Sequence, residues 1–140
     1  MILQCNYEEL GALRQGAEAV LGASGADPCV VAAPPVGRAR VEALVPQLEG
    51  DVSIGTLAMQ HEVEEAVRAI AACLRAEMEA RVVAAHPADE SAVSAYFDYA
   101  HALAVLRRVE EMGQHMAALI EIVTGTPPTE ALAASFAFPD

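Results

Sequence analysis

The residues best able to do chemistry in this sequence are four ionisable side chains, Glu77, Arg81, Asp98 and His101, which lie on two long segments with helical periodicity. At about 100° per residue, Glu77 and Arg81 point into the apolar stripe of the first segment, close to the direction of Ile70. Asp98 and His101 lie at the edge of the apolar arc of the second segment. A short connection makes the two segments antiparallel neighbours, so we expect the four groups to converge about 15 Å from the turn.

A buried polar cluster at Glu77, Arg81, Asp98 and His101 has three interpretations, because charges that leave water must be paired, hydrogen-bonded or neutralised. The favoured one is a structural network in which Arg81 pairs with Glu77 or Asp98 and fixes the register of the two helices. In the second, some of these groups reach solvent. The third is a metal site with Glu77, Asp98 and His101 as ligands, repeated across a dimer. The charge of Arg81 argues against that site.

Short motifs of catalysis or cofactor binding are missing from the sequence. There is no GxxxxGK[ST], GxGxxG, GxSxG or HExxH, and the nearest match to the Glu-x-x-His motif of di-iron bundles is Asp98-x-x-His101. The three cysteines Cys5, Cys29 and Cys73 are widely spaced and form neither a CxxC pair nor a disulfide framework. We therefore expect reduced thiols and no cofactor, apart from the transition metal of the third interpretation. An enzyme is not favoured.

Two long amphipathic segments, residues 56–85 and 90–124, predict an antiparallel helical hairpin. Gly125 is placed to end the second helix, and Gly113 is the expected position of a bend within it. The fold class is therefore mainly α, a helical bundle built on this hairpin with shorter N- and C-terminal helices. The residues expected to be buried inside the hairpin are Ile70, Leu74, Leu103 and Leu106.

The segment before the hairpin predicts two shorter helices. Asn6 and Glu9 have the spacing of a capping box, which begins a helix over residues 7–21. A second short helix is expected over residues 36–48, where Pro46 ends it or bends its last turn.

A β-prone run at residues 29–33 is either an extended connection or one strand of a minor two-strand element with residues 1–5. Both alternatives are compatible with one helical domain over residues 1–140, because the Pro- and Gly-rich stretches are too short to link independent domains. The predicted parts of that domain are the N-terminal short helices with their extended connection (1–50), the long hairpin (53–125) and a C-terminal short helix or tail (126–140).

The composition predicts a packed, acidic protein. Hydrophobic residues make up 54% of the 140-residue chain, which is too many for a disordered protein, and the net charge is −12. That acidity argues against nucleic acid as a partner, since a phosphate backbone would be repelled. No apolar run approaches the roughly 18–20 residues of a membrane span and no signal-peptide pattern opens the chain, so we predict no membrane partner and a cytoplasmic location.

The hairpin carries more apolar surface than the N-terminal segment can cover, which predicts a homodimer with a four-helix core. The residues proposed for its surface are Met112, Met116, Leu119 and Val123. The first functional hypothesis is accordingly a non-enzymatic interaction or assembly module, with a further protein partner also compatible. The alternatives are a carboxylate/histidine metal-binding or redox four-helix-bundle protein using Glu77, Asp98 and His101, and an acidic regulator that binds a basic protein surface.

Overall fold

The computed structural model describes residues 1–25, 27, 29–30, 35–84 and 90–125 of the chain. This part of the chain is a helical bundle with one two-stranded antiparallel sheet, which confirms the mainly α fold class. Its elements in chain order are the strand β1 (Ile2–Leu3), the helix α1 (Tyr7–Gly22), the helix α2 (Pro35–Leu44), the strand β2 (Val52–Ser53), and the helices α3 (Leu57–Ala84) and α4 (Glu90–Thr124).

The helices α3 and α4 form the predicted long hairpin, and their ends lie within one residue of the predicted bounds 56–85 and 90–124. Their antiparallel direction follows from the contacts: Leu57 at the start of α3 packs with Ala117 near the end of α4. After α4 the backbone turns at Gly125, whose φ is +73°, and its N–H donates to the carbonyl of Glu121 at 2.7 Å. A glycine is favoured there because it adopts this left-handed conformation without a steric cost.

Burial follows the predicted apolar stripe along the middle of the hairpin. Ile70, Leu74 and Leu106 are buried, and Leu103 is half-buried with its side chain against the same core. Met59 is an exception: its spacing places it in the stripe of α3, yet it is 40% exposed. It lies in the first turn of the helix, between Leu57 and Gln60, which are both buried.

Gly113 marks a close approach between the two long helices and lies within the continuous helix α4. The bend that the sequence predicts at this position stays a prediction. The buried side chain of Gln60 lies over Gly113, and a Cβ at position 113 would lie 2.6 Å from the Gln60 Cδ. The Gln60 Nε2 donates to the carbonyl of Val109 at 2.8 Å and to Glu64 Oε1 at 3.0 Å. The missing side chain therefore makes room for a hydrogen bond between α3 and α4.

The strand β1 has a different partner from the predicted one. It pairs with β2, with Ile2 opposite Ser53 and Leu3 opposite Val52, and not with residues 29–33. In the described part of that run, residues 29–30 are helical, and residues 31–34 lie outside the description. The pairing continues at Ile54, whose N–H donates to the Met1 carbonyl at 2.8 Å. A short β-prone run does not specify its partner, because the partner is fixed by which segments the helices bring together.

The two shorter helices agree with their sequence signals. The capping box is confirmed: Asn6 Oδ1 accepts from the Glu9 N–H at 2.8 Å, and Glu9 Oε1 accepts from the Asn6 N–H at 3.0 Å. The helix α2 is followed by a 3₁₀ turn, Val45–Gln47, so the chain changes conformation at Pro46 as expected. The C-terminal helix or tail predicted for residues 126–140 lies outside the described residues.

The helix α1 packs closely on α3 at Gly16. A Cβ at this position would lie 3.1 Å from Leu74 Cδ1 and still closer to Ile70 Cγ2. Gly11 lies in the same helix, but a Cβ there would meet no atom within 4 Å. The two glycines therefore differ in their surroundings while sharing one helix.

Substitution of these glycines by alanine should have opposite effects on stability. We expect Gly16→Ala to lower the free energy of unfolding by about 1–3 kcal/mol, because the added methyl group displaces well-packed side chains. We expect Gly11→Ala to raise it by about 0.5–1 kcal/mol, because alanine favours the helix. Urea unfolding followed by circular dichroism measures both changes. Two changes of the same sign would contradict the close approach of α1 to α3.

Candidate functional site

The four residues of the predicted polar cluster are all half-buried, and their connection in one network stays a prediction. Glu77 lies beside Cys29, and the Arg81 guanidinium lies 3.5 Å from the carbonyl oxygen of Ser91. Asp98 and His101 line a groove between α1 and α4. A helical wheel gives the direction of a side chain around its own helix, but it does not say which neighbouring element lies in that direction.

The groove that contains Asp98 and His101 has a volume of about 590 Å³ and combines carboxylates with aromatic rings. Its carboxylates also include Glu8 and Glu90, and its rings come from Tyr7 and Phe97. Tyr7 is 87% exposed, so the groove opens widely to solvent.

An ion pair that the sequence analysis missed joins α1 to α4. The Glu9 side chain is buried, and its Oε2 pairs with Nη2 of Arg108, while Nη1 of Arg108 donates to the Gln4 carbonyl at 3.0 Å. The same carboxylate accepts the capping bond from the Asn6 N–H. Glu9 was identified only as half of a capping box, and no local signal reveals a partner 99 positions away, between residues 9 and 108.

The surroundings of Glu9 lower the pKa of its carboxyl group. Burial alone raises the pKa of a carboxyl group, but here the hydrogen bond from Arg108, the backbone hydrogen bond from Asn6 and the nearby charges of Arg108 and His101 outweigh it. The pKa of Glu9 therefore lies below its ordinary value of 4.5. Close by, burial raises the pKa of the Cys5 thiol, and the charge of Arg108 only partly offsets this effect. Cys5 is therefore a weak nucleophile near neutral pH.

Cys29 and Cys73 form a disulfide, so the prediction of three reduced thiols is wrong. Their Cα atoms lie 4.7 Å apart, and both residues are 0% exposed. Cys5 is a free thiol, and Cys73 lies in the hydrophobic core. The sequence separation of 44 residues carries no motif. The pair forms only because the segment that contains residues 29–30 packs against the middle of α3.

Glu77 lies next to this sulfur pair. Its Oε1 is 3.8 Å from Cys29 Sγ, and it follows Cys73 by four residues on α3, so both side chains share one face of the helix. Among the described residues, one group of three side chains has the composition and closeness of a metal site: Cys29, Cys73 and Glu77, whose ligand atoms lie within 4.8 Å of one another. The structure does not bring Glu77, Asp98 and His101 together as such a group.

The residues predicted for a dimer surface differ in exposure. Met112 and Met116 are half-buried against the core of their own chain. Leu119 is 47% exposed and Val123 is 81% exposed. Because Leu57, the first residue of α3, packs beside Ala117, the last seven residues of α4 extend about 10 Å beyond that point.

Comparisons of the chain with models of protein families, with curated proteins and with solved structures find no match. The described helices include none that is long and apolar enough to cross a membrane. Functional arguments for this chain therefore depend on its own contacts and charges.

The pairing of Glu9 with Arg108 should make stability depend on pH in acid. A carboxylate whose pKa is lower in the folded than in the unfolded state stabilises the fold fully at any pH above its unfolded-state pKa. This stability is lost as the pH falls through the folded-state pKa. At pH 7 we expect Glu9→Gln to lower the free energy of unfolding by about 2 kcal/mol, and we expect this deficit to shrink below pH 4.5, the ordinary value.

Urea unfolding at a series of pH values measures the effect of Glu9→Gln. Glu8→Gln is the matched control, since Glu8 is an exposed carboxylate in the same helical turn. A deficit of Glu9→Gln that is equal at pH 7 and pH 3 would show that the charge of Glu9 contributes nothing.

The disulfide should contribute substantially to stability. It closes a loop with a sequence separation of 44 residues, which corresponds to about 4 kcal/mol of lost unfolded-state entropy. We expect reduction by a phosphine, with a chelator present, to lower the free energy of unfolding by that order. Unfolding curves with and without the phosphine measure it, and Cys5→Ser should show the same difference. A fully reduced chain of unchanged stability would contradict this contribution.

Proposed function

We propose that this chain is a non-enzymatic interaction module that forms a homodimer through the C-terminal part of α4. The observation that carries the proposal is the exposure of large apolar side chains there: Leu119 is 47%, Ile122 79% and Val123 81% exposed. Burial of such side chains is worth about 1.5–3 kcal/mol each, so contact with a second apolar surface is favourable.

The spacing of the apolar residues supports a helix as the contacting element. Met112, Met116, Leu119 and Val123 are separated by four, three and four residues, which is the spacing of a coiled-coil seam. A second copy related by two-fold symmetry supplies the same seam, so that each α4 covers the other beyond the start of α3. The methionines contact the core of their own chain as well, which makes the proposed seam continuous with that core.

The strongly negative net charge of the chain indicates that apolar side chains, and not ion pairs, would hold the proposed dimer together. The chain has a net charge of −12, and many of its arginines already pair within the chain, for example Arg75 with Glu79 at 2.9 Å and Arg68 with Glu64 at 3.0 Å. Repulsion between two such chains opposes association, and salt screens repulsion. The proposed dimer should therefore become stronger as the salt concentration rises.

The same charges support a second candidate function, an acidic regulator that binds a basic protein surface. The carboxylates of Glu8, Glu90 and Asp98 line the groove between α1 and α4 together with Arg14, so acidic side chains are in excess there. Association with a basic partner would weaken as salt rises, which is the opposite of the response expected for the dimer. A cytoplasmic location remains part of the proposal and is based on the sequence alone.

Analytical ultracentrifugation at micromolar concentration tests the dimer. We expect a mass near twice 14.7 kDa. Leu119→Glu and Val123→Glu should each raise the dissociation constant about tenfold or more, equivalent to about 1.4 kcal/mol, because a charge is buried in the seam. Val83→Glu is the matched control, since Val83 is 88% exposed but lies at the other end of the hairpin. A monomeric wild-type chain, or an equal effect of all three substitutions, would contradict the proposed interface.

A further inference from the structure

The Glu77 carboxylate lies beside the disulfide between Cys29 and Cys73. A disulfide alone does not need a neighbouring carboxylate. Both cysteines are 0% exposed, whereas Glu77 is half-buried and its Oε1 lies 3.8 Å from Cys29 Sγ. We propose that the reduced forms of Cys29 and Cys73, together with Glu77, bind one divalent metal ion of the zinc class. The disulfide and the metal complex are then alternative states of one site, because both use the same sulfur atoms.

The distances are compatible with tetrahedral coordination. With a metal–sulfur bond of about 2.3 Å and a metal–oxygen bond of about 2.0 Å, a tetrahedral ion holds its sulfur and oxygen ligands about 3.5 Å apart. The distance between Glu77 Oε1 and Cys29 Sγ is 3.8 Å. On reduction the two sulfurs separate from about 2.0 Å to about 3.8 Å, which rotation of buried cysteine side chains can supply.

The local backbone holds the three ligands in place. Cys73 and Glu77 are four residues apart on α3, so they project from one face, as metal ligands on a helix commonly do. Cys29 is positioned by its own N–H, which donates to Asp27 Oδ1 at 2.8 Å. The three protein ligands leave a fourth position for water.

The charges favour a metal once the disulfide is reduced. Cysteine binds a metal ion as the thiolate, so each cysteine that becomes a ligand gives up its thiol proton. A divalent cation compensates two thiolates and a carboxylate to a net charge of −1 and releases two protons on binding. Thiolate sulfur and carboxylate oxygen together suit zinc better than magnesium or calcium, which prefer oxygen alone.

The redox step uses a cellular dithiol as the reductant. The dithiol gives two electrons and two protons to the Cys29–Cys73 disulfide, becomes a disulfide itself and leaves two thiols on the chain. The metal ion then displaces both thiol protons. The ion thereby replaces the covalent bond as the cross-link between Cys29 and α3. In a reducing compartment the metal-bound state is the one expected.

This inference is independent of the proposed dimer, because the site joins Cys29 to α3 and the proposed contact lies at the end of α4. It also differs from the predicted carboxylate/histidine site, with which it shares only Glu77. Arg81, whose charge opposed that earlier ligand set, contacts the Ser91 carbonyl.

Cobalt titration of the full chain tests the site. The chain is reduced with a phosphine, which takes the oxygen of water and leaves two thiols, and Co²⁺ is then added. We expect one Co²⁺ per chain, with a thiolate-to-cobalt charge-transfer band and the visible bands of tetrahedral cobalt, and we expect Zn²⁺ to displace it. The oxidised chain should bind none. Bound Zn²⁺ should also raise the melting temperature of the reduced chain as its concentration rises.

Substitutions distinguish the proposed ligands from other groups. Glu77→Gln keeps both sulfurs and should weaken Co²⁺ binding about tenfold or more, since even the hydrogen-bonding partner of a ligand has an effect of that size. Cys73→Ser should abolish the charge-transfer band, with folding checked by circular dichroism. Cys5→Ser is the matched control and should leave the spectrum and stoichiometry unchanged. No thiolate band with the reduced wild-type chain, an unaltered affinity in Glu77→Gln, or loss of the band in Cys5→Ser would each overturn the site.

Discussion

The packing of α3 against α4 is the most extensive contact between two elements of the described structure, and the shorter helices pack onto it. The helices of 28 and 35 residues pack side by side through the apolar side chains that face each other. Gly113 and Gln60 add a polar contact to this packing, because the glycine makes room for the amide that donates to the Val109 carbonyl. With α3 and α4 fixed in this way, the hairpin presents one side to the N-terminal segment and leaves the end of α4 uncovered by α3.

The N-terminal segment is attached to the hairpin by several kinds of interaction. Glu9 pairs with Arg108 on α4, Gly16 allows α1 to pack on α3, and Cys29 bonds to Cys73. Apolar packing does not itself depend on protonation or redox state, whereas the ion pair depends on pH and the disulfide depends on the redox state of the surroundings. The attachment of this segment is therefore sensitive to the chemistry of its environment.

The end of α4 and the group formed by Cys29, Cys73 and Glu77 support two different proposals. The apolar end of α4 supports association with a second copy, while the sulfur pair with Glu77 supports a response to oxidation or metal supply. The two lie on different parts of the hairpin, and each can be altered without the other. The groove with Asp98 and His101 adds an acidic surface near α1, which supports the alternative of a basic protein partner.

The sequence alone determined the features that depend on neighbours in the chain. The hairpin bounds, the capping box at Asn6 and the turn at Gly125 all follow from helical periodicity and from backbone preferences within a few residues. The tertiary structure brings distant residues together: β1 pairs with β2, Cys29 bonds to Cys73, and Glu77 lies beside Cys29. Periodicity defines the direction of a side chain around its own helix, but the neighbour found in that direction depends on how all the elements pack together.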